Sequence, residues 1–303
     1  MTPTNPDATL LADPHGEFRR CYNRTSFLFA HGLAGDPIFE LSALIALSER
    51  LPDHPHFTYW SNGPVEVEDR WEKGSRQRAS LQQTIREIEH NNSLVILKHV
   101  EQDPVYAPVL QRLLGRIVDL SGPEMREDVR VGEVLVLISS PNRVTSYHID
   151  AETNYLMQVT GDKTAYVFPH DRPEVMSDVE LERFHAGDFN GAVYKAATQD
   201  HAVCYDLKAG HGIHIPPHAP HWVRNGDNLS VALSVNFELK SIAQLAMVYR
   251  FNRWLRSAGL SPRSPDLRQG RDRAKGAFAR AALGAKGLLR PRERVPAVAT
   301  WSP

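Results

Sequence analysis

Two stretches of this chain hold residue types that can bind a transition metal at useful spacing. The first is Thr145-Ser-Tyr-His148-Ile-Asp150, where a histidine and an aspartate stand two apart in a β-rich region. Alternate residues of a strand share a face, so both side chains are expected to point the same way. The second is Ile213-His-Ile-Pro-Pro-His-Ala-Pro-His221-Trp-Val223, a strand entering a proline turn with another strand leaving it. His221 stands at the start of that returning strand, although His211, His214 and His218 compete with it on spacing alone. Two histidines and one carboxylate on one face of a metal leave the opposite face open, the ligand set of non-haem Fe(II) oxygenases. Zinc prefers a closed or nearly closed tetrahedral shell, and no further ligand is evident here.

Other chemistries are poorly supplied. The chain has no Gly-x-x-x-x-Gly-Lys-Ser/Thr loop, Gly-x-Gly-x-x-Gly turn, Gly-x-Ser-x-Gly elbow or Cys-x-x-Cys pair. Its two cysteines, Cys21 and Cys204, exclude a disulfide scaffold and a Cys-only zinc site, and fit a reducing, cytoplasmic setting. No apolar run reaches the ~18 residues of a membrane span, and the polar start of the chain lacks a signal-peptide layout. The 303 residues, 42% hydrophobic and 23% charged, fit one large or two small globular domains.

The elements that must position these residues divide the chain in four. Residues 1–23 read as a polar leader. Residues 24–130 read as a mixed α/β part. It contains strands at Ser26–Ala30, Phe57–Trp60 and Ser93–Leu97. A helix opened by Asp36-Pro37, one capped by Ser80 with Gln83, and one from Tyr106 to Leu120 complete it. From residue 131 to 240 short β-type runs follow one another, including Val131–Ser139, Tyr155–Gln158, Thr164–Phe168, Ala202–Leu207, Gly212–Ile215 and Leu229–Phe237. Turn residues separate them without long amphipathic helices, which predicts an antiparallel jelly roll or cupin barrel. The fold class is therefore α+β, with a double-stranded β-helix core, an N-terminal α/β elaboration and C-terminal helices over 241–303.

The stretch Thr145–Lys163 resembles the JmjC/cupin-like family of Fe(II)- and 2-oxoglutarate-dependent oxygenases. Within it, the stretch is most similar to the branch containing the asparaginyl hydroxylase that acts on hypoxia-inducible factor. Thr145, His148, Asp150, Asn154, Gln158, Gly161 and Lys163 stand in register with the family pattern, as do Ile215-Pro216, His221 and Val235-Asn236-Phe237. The resemblance covers roughly residues 130–240 and extends less firmly over 24–130. It implies that His148, Asp150 and His221 hold Fe(II). Lys163 and Thr145 would take the far carboxylate of 2-oxoglutarate, and Asn154 and Asn236 would donate near its metal-bound end. O2 would be the oxidant, and succinate and CO2 the co-products. Two departures stand out: Gly210-His211 where the family usually has Gly-Asp, and His218-Ala-Pro220 where its turn is commonly aromatic. His218 is expected to be an exposed turn residue, with support of a ligand or contact with the substrate as the alternative.

The implied activity is hydroxylation of a peptide side chain or a small molecule, with N-methyl demethylation using the same iron chemistry. The alternative is a catalytically silent cupin-like binding protein whose basic tail contacts nucleic acid. Residues 241–303 carry 13 Lys/Arg against three acidic residues, a local charge of +10, against −11 for the rest. A solvated Arg/Ala-rich helix accounts for that tail, and its lack of interleaved aromatics gives nucleic acid little to stack on. Ile242, Leu245, Tyr249 and Trp254 are read as a homodimer surface, with packing on the chain's own barrel as the alternative. Trp60, Trp71, Tyr147 and Phe184 are candidates for the cavity entrance or the core.

Overall fold

A computed structural model describes residues 10–71, 79–287 and 301–302. The remainder of the leader and the distal basic tail, residues 1–9 and 288–300, lie outside the described residues. In chain order the described elements begin with β1 (Leu11–Ala12), α1 (Glu17–Cys21), β2 (Phe27–His31), α2 (Leu41–Arg50) and β3 (Thr58–Asn62). They continue with α3 (Leu81–Arg86), β4 (Ser93–Leu97), α4 (Ala107–Ser121) and α5 (Pro123–Asp128). The β-rich part follows as β5 (Val129–Ser139), β6 (Val144–His148), β7 (Thr153–Thr160) and β8 (Asp162–Val167). After α6 (Asp178–His185) come β9 (Val203–Lys208), β10 (His211–Ile215), β11 (His221–Asn225) and β12 (Ser230–Leu239). Helices α7 (Lys240–Ser257) and α8 (Gly270–Gly287) close the series.

The strands form two antiparallel sheets. The larger has the order β1-β2-β10-β7-β12-β5-β4-β3 and the smaller β6-β11-β8-β9. Period-two alternation along the larger sheet sorts its residues between two environments. One face carries Val134, Val136, Ile138, Tyr155, Met157, Val231, Leu233, Val235 and Phe237 into the main core. That face is covered by the apolar stripe of α4, Leu110, Leu113, Leu114, Ile117 and Val118, spaced three and four apart. The opposite face sends Leu156, Ile213, Ile215 and Ala232 against Ala165, Val167, Leu207 and Val223 of the smaller sheet. Between the sheets, toward one end, this inner packing opens into a cavity.

Several local expectations change on inspection. Asp36 caps only a 3₁₀ turn, Pro37–Phe39, by accepting from the Ile38 N–H (3.1 Å). Glu40 is extended, so α2 starts afresh at Leu41. Ser80 does cap α3, accepting from Gln83 N–H at 3.2 Å. The region expected to hold only strands contains α6, announced by a complete Ser177/Glu180 capping box. At the C-terminus Ile242 packs on the main core, and Leu245 and Tyr249 join a smaller cluster with Tyr147, Phe168 and Trp222. Trp254 is exposed. Part of the basic charge is used internally: Arg256 makes a two-pronged ion pair with buried Glu182 (2.8 and 3.0 Å), and Lys275 pairs with Asp272 (3.0 Å). No helix among the described residues is long and apolar enough to cross a membrane.

Candidate metal centre

His148, Asp150 and His221 come together with one ligand atom from each within 4.8 Å of the others, and they are the one such group among the described residues. His148 is the last residue of β6 and His221 the first of β11, and the two strands pair at that point. Their rings lie 4.1 Å apart between centroids, and His221 Nε2 is 3.6 Å from Asp150 Oδ2. Asp150 does not lie on the strand with His148, as simple alternation would have it, because β6 ends at His148. Its carbonyl oxygen is instead held by the backbone N–H of His218 (2.8 Å).

Each of the two histidines is oriented by its own backbone neighbourhood. His148 Nδ1 donates to Ser146 O (2.7 Å) and His221 Nδ1 to Ala219 O (3.0 Å). Carbonyl acceptors fix the Nδ1–H tautomer, so both Nε2 lone pairs are free toward Asp150. Burial, reinforced by neighbouring His148, lowers the His221 pKa to about 4 and keeps it neutral, the form that ligates. Two bare imidazole nitrogens facing one carboxylate suit a divalent transition metal.

The register between β6 and β11 shifts: His221 pairs with His148, but Val223 pairs with Thr145. Three residues on β6 therefore oppose two on β11. The extra residue brings Thr145 and His148 to the same side, which an unbroken strand would not do at that separation. Both line a cavity of about 470 Å³, together with Asp150, Asn154, Lys163, His221 and Asn236. The structure thus gathers all seven residues singled out in the sequence around one space.

Lys163 lies on β8, just after the Gly161 turn. Gly161 has φ +74°, and a Cβ there would meet Asn228 Oδ1 at 1.9 Å, so the hairpin ahead of Lys163 depends on glycine. The Lys163 side chain is buried and makes no hydrogen bond or ion pair with the described residues; burial lowers its pKa to about 8. A buried ammonium without a partner is costly and calls for an anion. Asn154 spends its Nδ2 on Ser234 Oγ (2.6 Å) and Asn236 Oδ1 (2.5 Å), while its Oδ1 has no partner. Asn154 thereby orients Asn236 within the cavity wall.

The opposite wall comes from residues that the sequence reading left aside or assigned loosely. Trp71 stacks on His148 (5.3 Å, 29°), and its backbone N–H donates to Asn190 Oδ1 (2.6 Å). Phe184 and His185 of α6, Gly187, Phe189 and Arg250 also line the space. Glu152 faces it as well, its carboxyl pushed up to about 7 by burial and by neighbouring Asp150. Of the four aromatics considered for the entrance, Trp71 and Phe184 line the cavity, whereas Tyr147 and Trp60 pack in core clusters. His218 is not an exposed turn residue. It is buried, and its Nε2 lies 2.9 Å from His185 Nε2. The Ser177-x-x-Glu180 capping box was the available signal for α6 and so for His185 and Phe184.

No protein-family model matches the chain, and no curated protein matches it. Among solved structures it is similar to YcfD of Escherichia coli, with a TM-score of 0.49 at 14% identity over 90% of this chain and 68% of that one. A second structure, described as the ribosomal oxygenase YcfD, gives a TM-score of 0.48 at 13% identity, covering 90% and 67%. A third, of YcfD with cobalt and 2-oxoglutarate, gives 0.47 at 14% identity, also covering 90% and 67%. At scores below 0.5, the assignment of chemistry to this chain rests on its own residues.

Proposed function

We propose that this protein is an Fe(II)- and 2-oxoglutarate-dependent oxygenase that hydroxylates a peptide side chain or a small molecule. The observation that carries the reading is the pairing of two features in one cavity. An open-faced His148–Asp150–His221 donor set stands in the same space as a buried, unpartnered Lys163 ammonium. A metal answers the first and a dicarboxylate the second. The strand orders β10-β7-β12-β5 and β6-β11-β8-β9 support a double-stranded β-helix for residues 129–239. The motif Thr145–Lys163 supports the JmjC/cupin-like family, and its spacing is the basis for the asparaginyl-hydroxylase branch.

Bound Fe(II) would supply O2 activation coupled to decarboxylation of 2-oxoglutarate to succinate and CO2, with one oxygen atom delivered to a substrate C–H bond. The chain's own residues do the positioning. His148 and His221 present Nε2 atoms set by backbone carbonyls, and Asp150 supplies charge. Lys163 forms a charge-assisted bond to the far carboxylate, with the Thr145 hydroxyl as a second donor. Asn236, oriented by Asn154, would donate toward the near end of the co-substrate. Trp71, Phe184 and Phe189 wall the side left for substrate and limit water there.

The test is an anaerobic titration of Fe(II)-loaded protein with 2-oxoglutarate, following the weak visible metal-to-ligand charge-transfer band. The wild type should develop the band, and Lys163→Ala should need about tenfold or more 2-oxoglutarate to reach it. Confirmed iron occupancy without a band would refute the 2-oxoglutarate reading.

A further inference from the structure

The carboxylate ligand is the least supported of the three in the main chain. His148 and His221 sit on paired strands, whereas Asp150 lies past the end of β6. His218 N–H donates to the Asp150 carbonyl from the turn between β10 and β11, three residues before His221. His218 adopts φ +63°, the left-handed region that non-glycine residues enter at a cost. A turn that needed only this backbone shape would take glycine. Here the residue carries a ring, and the ring is buried against His185 Nε2 at 2.9 Å.

His185 ends α6 and lines the cavity. Its own position is determined on two sides. The ring stacks on Tyr249 (5.3 Å, 10°), and its carbonyl accepts from Arg250 Nε (2.6 Å). One residue earlier, Phe184 faces the same cavity. A continuous line of contacts therefore runs from α7 through His185 and His218 to the main chain of Asp150. An Nε2-to-Nε2 hydrogen bond needs one protonated and one bare nitrogen, so the two rings must hold complementary tautomers. Phenylalanine or another apolar ring of similar size cannot replace either partner in that bond.

We propose that the His185–His218 pair is a positioning element that fixes the Asp150-bearing loop to the helix walling the substrate side of the cavity. The proposal rests on His148, Asp150 and His221 being metal ligands. It assigns a task to two histidines that neither bind the metal nor face the co-substrate end. It also makes metal affinity depend on α6, an element with no ligand of its own.

The experiment is a Co(II) titration of the full chain, read by visible d–d absorption, with thermal unfolding measured alongside. The variants are His185→Phe, His218→Asn, the double variant and His185→Gln. Phe keeps the stack on Tyr249 and loses the nitrogen, and Asn tolerates the left-handed backbone and so keeps the turn N–H. Each single variant should weaken Co(II) binding about tenfold, as loss of outer-shell support typically does. The double variant should bind no more weakly than either single one, because both remove the same contact. Gln at 185 can restore a hydrogen bond to His218 and should keep Co(II) affinity within about threefold of wild type.

Binding within about twofold of wild type in both single variants would overturn the proposal. So would multiplicative losses in the double variant, or a Gln variant as weak as the Phe variant. If Phe at 185 prevents folding, the Asn and Gln variants alone still decide the matter. Failure of the wild type itself to bind Co(II) would refute the metal reading, a result distinct from normal binding with independent single effects.

Discussion

Replacing Lys163 with methionine should stabilise the ligand-free protein and weaken its response to 2-oxoglutarate. The magnitude follows from the buried ammonium. Its pKa falls from 10.5 to about 8 through burial, with no opposing partner. At 1.36 kcal/mol per unit, keeping the charge inside the fold costs about 3 kcal/mol. The unfolded chain holds this proton more tightly than the folded one. The cost is therefore fully present below pH 8 and relieved as pH rises from about 8 to 10.5. Methionine fills similar space without charge, so at pH 7 the variant should gain up to ~3 kcal/mol, a gain that fades by pH 10.5. The wild type should recover the same order of stability from ligand. At about 100 times the wild-type Kd, 2-oxoglutarate with Fe(II) under anaerobic conditions should add about 2.7 kcal/mol, and the variant, binding about tenfold or more weakly, should gain about 1.4 kcal/mol or less. Urea unfolding at pH 7 and 10.5, with and without 2-oxoglutarate, measures both quantities. A variant less stable than wild type at pH 7, yet stabilised by 2-oxoglutarate as much as wild type, would refute this account of Lys163.

Three further outcomes are expected. Burial pushes the His214 pKa down to about 3, against a hydrogen bond to the Asn154 carbonyl that raises it; the unfolded chain protonates first, so stability present above pH 6.5 is lost as pH falls toward 3. At pH 5 this single residue costs about 2 kcal/mol, and His214→Gln should flatten the pH 7 to pH 5 stability difference by that amount in urea unfolding. Arg256→Ala leaves the Glu182 carboxylate buried and unpaired, and should lower stability by about 2–3 kcal/mol in the same assay. Trp71→Phe should remove most of the Co(II)-induced quenching of tryptophan fluorescence, since Trp71 stacks on His148, a proposed ligand. Trp254→Phe should leave that quenching largely intact, because Trp254 is exposed on α7 and does not line the cavity.

The parts of this architecture visible in the sequence were those written in short-range periodicity and fixed spacing. The run Thr145 to Lys163, the alternating strands and the α4 stripe all belong to that class. The ligand set could be narrowed by spacing, yet four histidines near the proline turn remained equivalent until the chain was folded. Their separate fates depend on which face each meets. His214 lies on the outer face, bonded to Asn154 O and Asn23 N–H, His218 turns toward α6, and His221 reaches Asp150. The bulge that brings Thr145 and His148 to one side is a property of strand pairing, and no local residue pattern announces it. Asp150 was assigned to a strand by alternation, whereas a backbone contact from His218, distant in sequence, holds it. Helix α6 is different: its Ser177/Glu180 capping box is legible in the sequence but stands amid turn residues that mask it.

The order of the larger sheet has a consequence for how the chain can be cut. The four strands at its centre, β10-β7-β12-β5, are flanked by β2 and β1 on one side and by β4 and β3 on the other. Both flanks come from the N-terminal segment, so one stretch of chain seals both margins of the central strands. A fragment starting at β5 would bare the outer hydrogen-bonding edges of β5 and β10 together, two templates for joining other chains. The segment from β5 to β12 is thus not a removable module. Grafting it, permuting it or expressing it alone would require new margins, and recombination between relatives would have to carry both flanks as one unit.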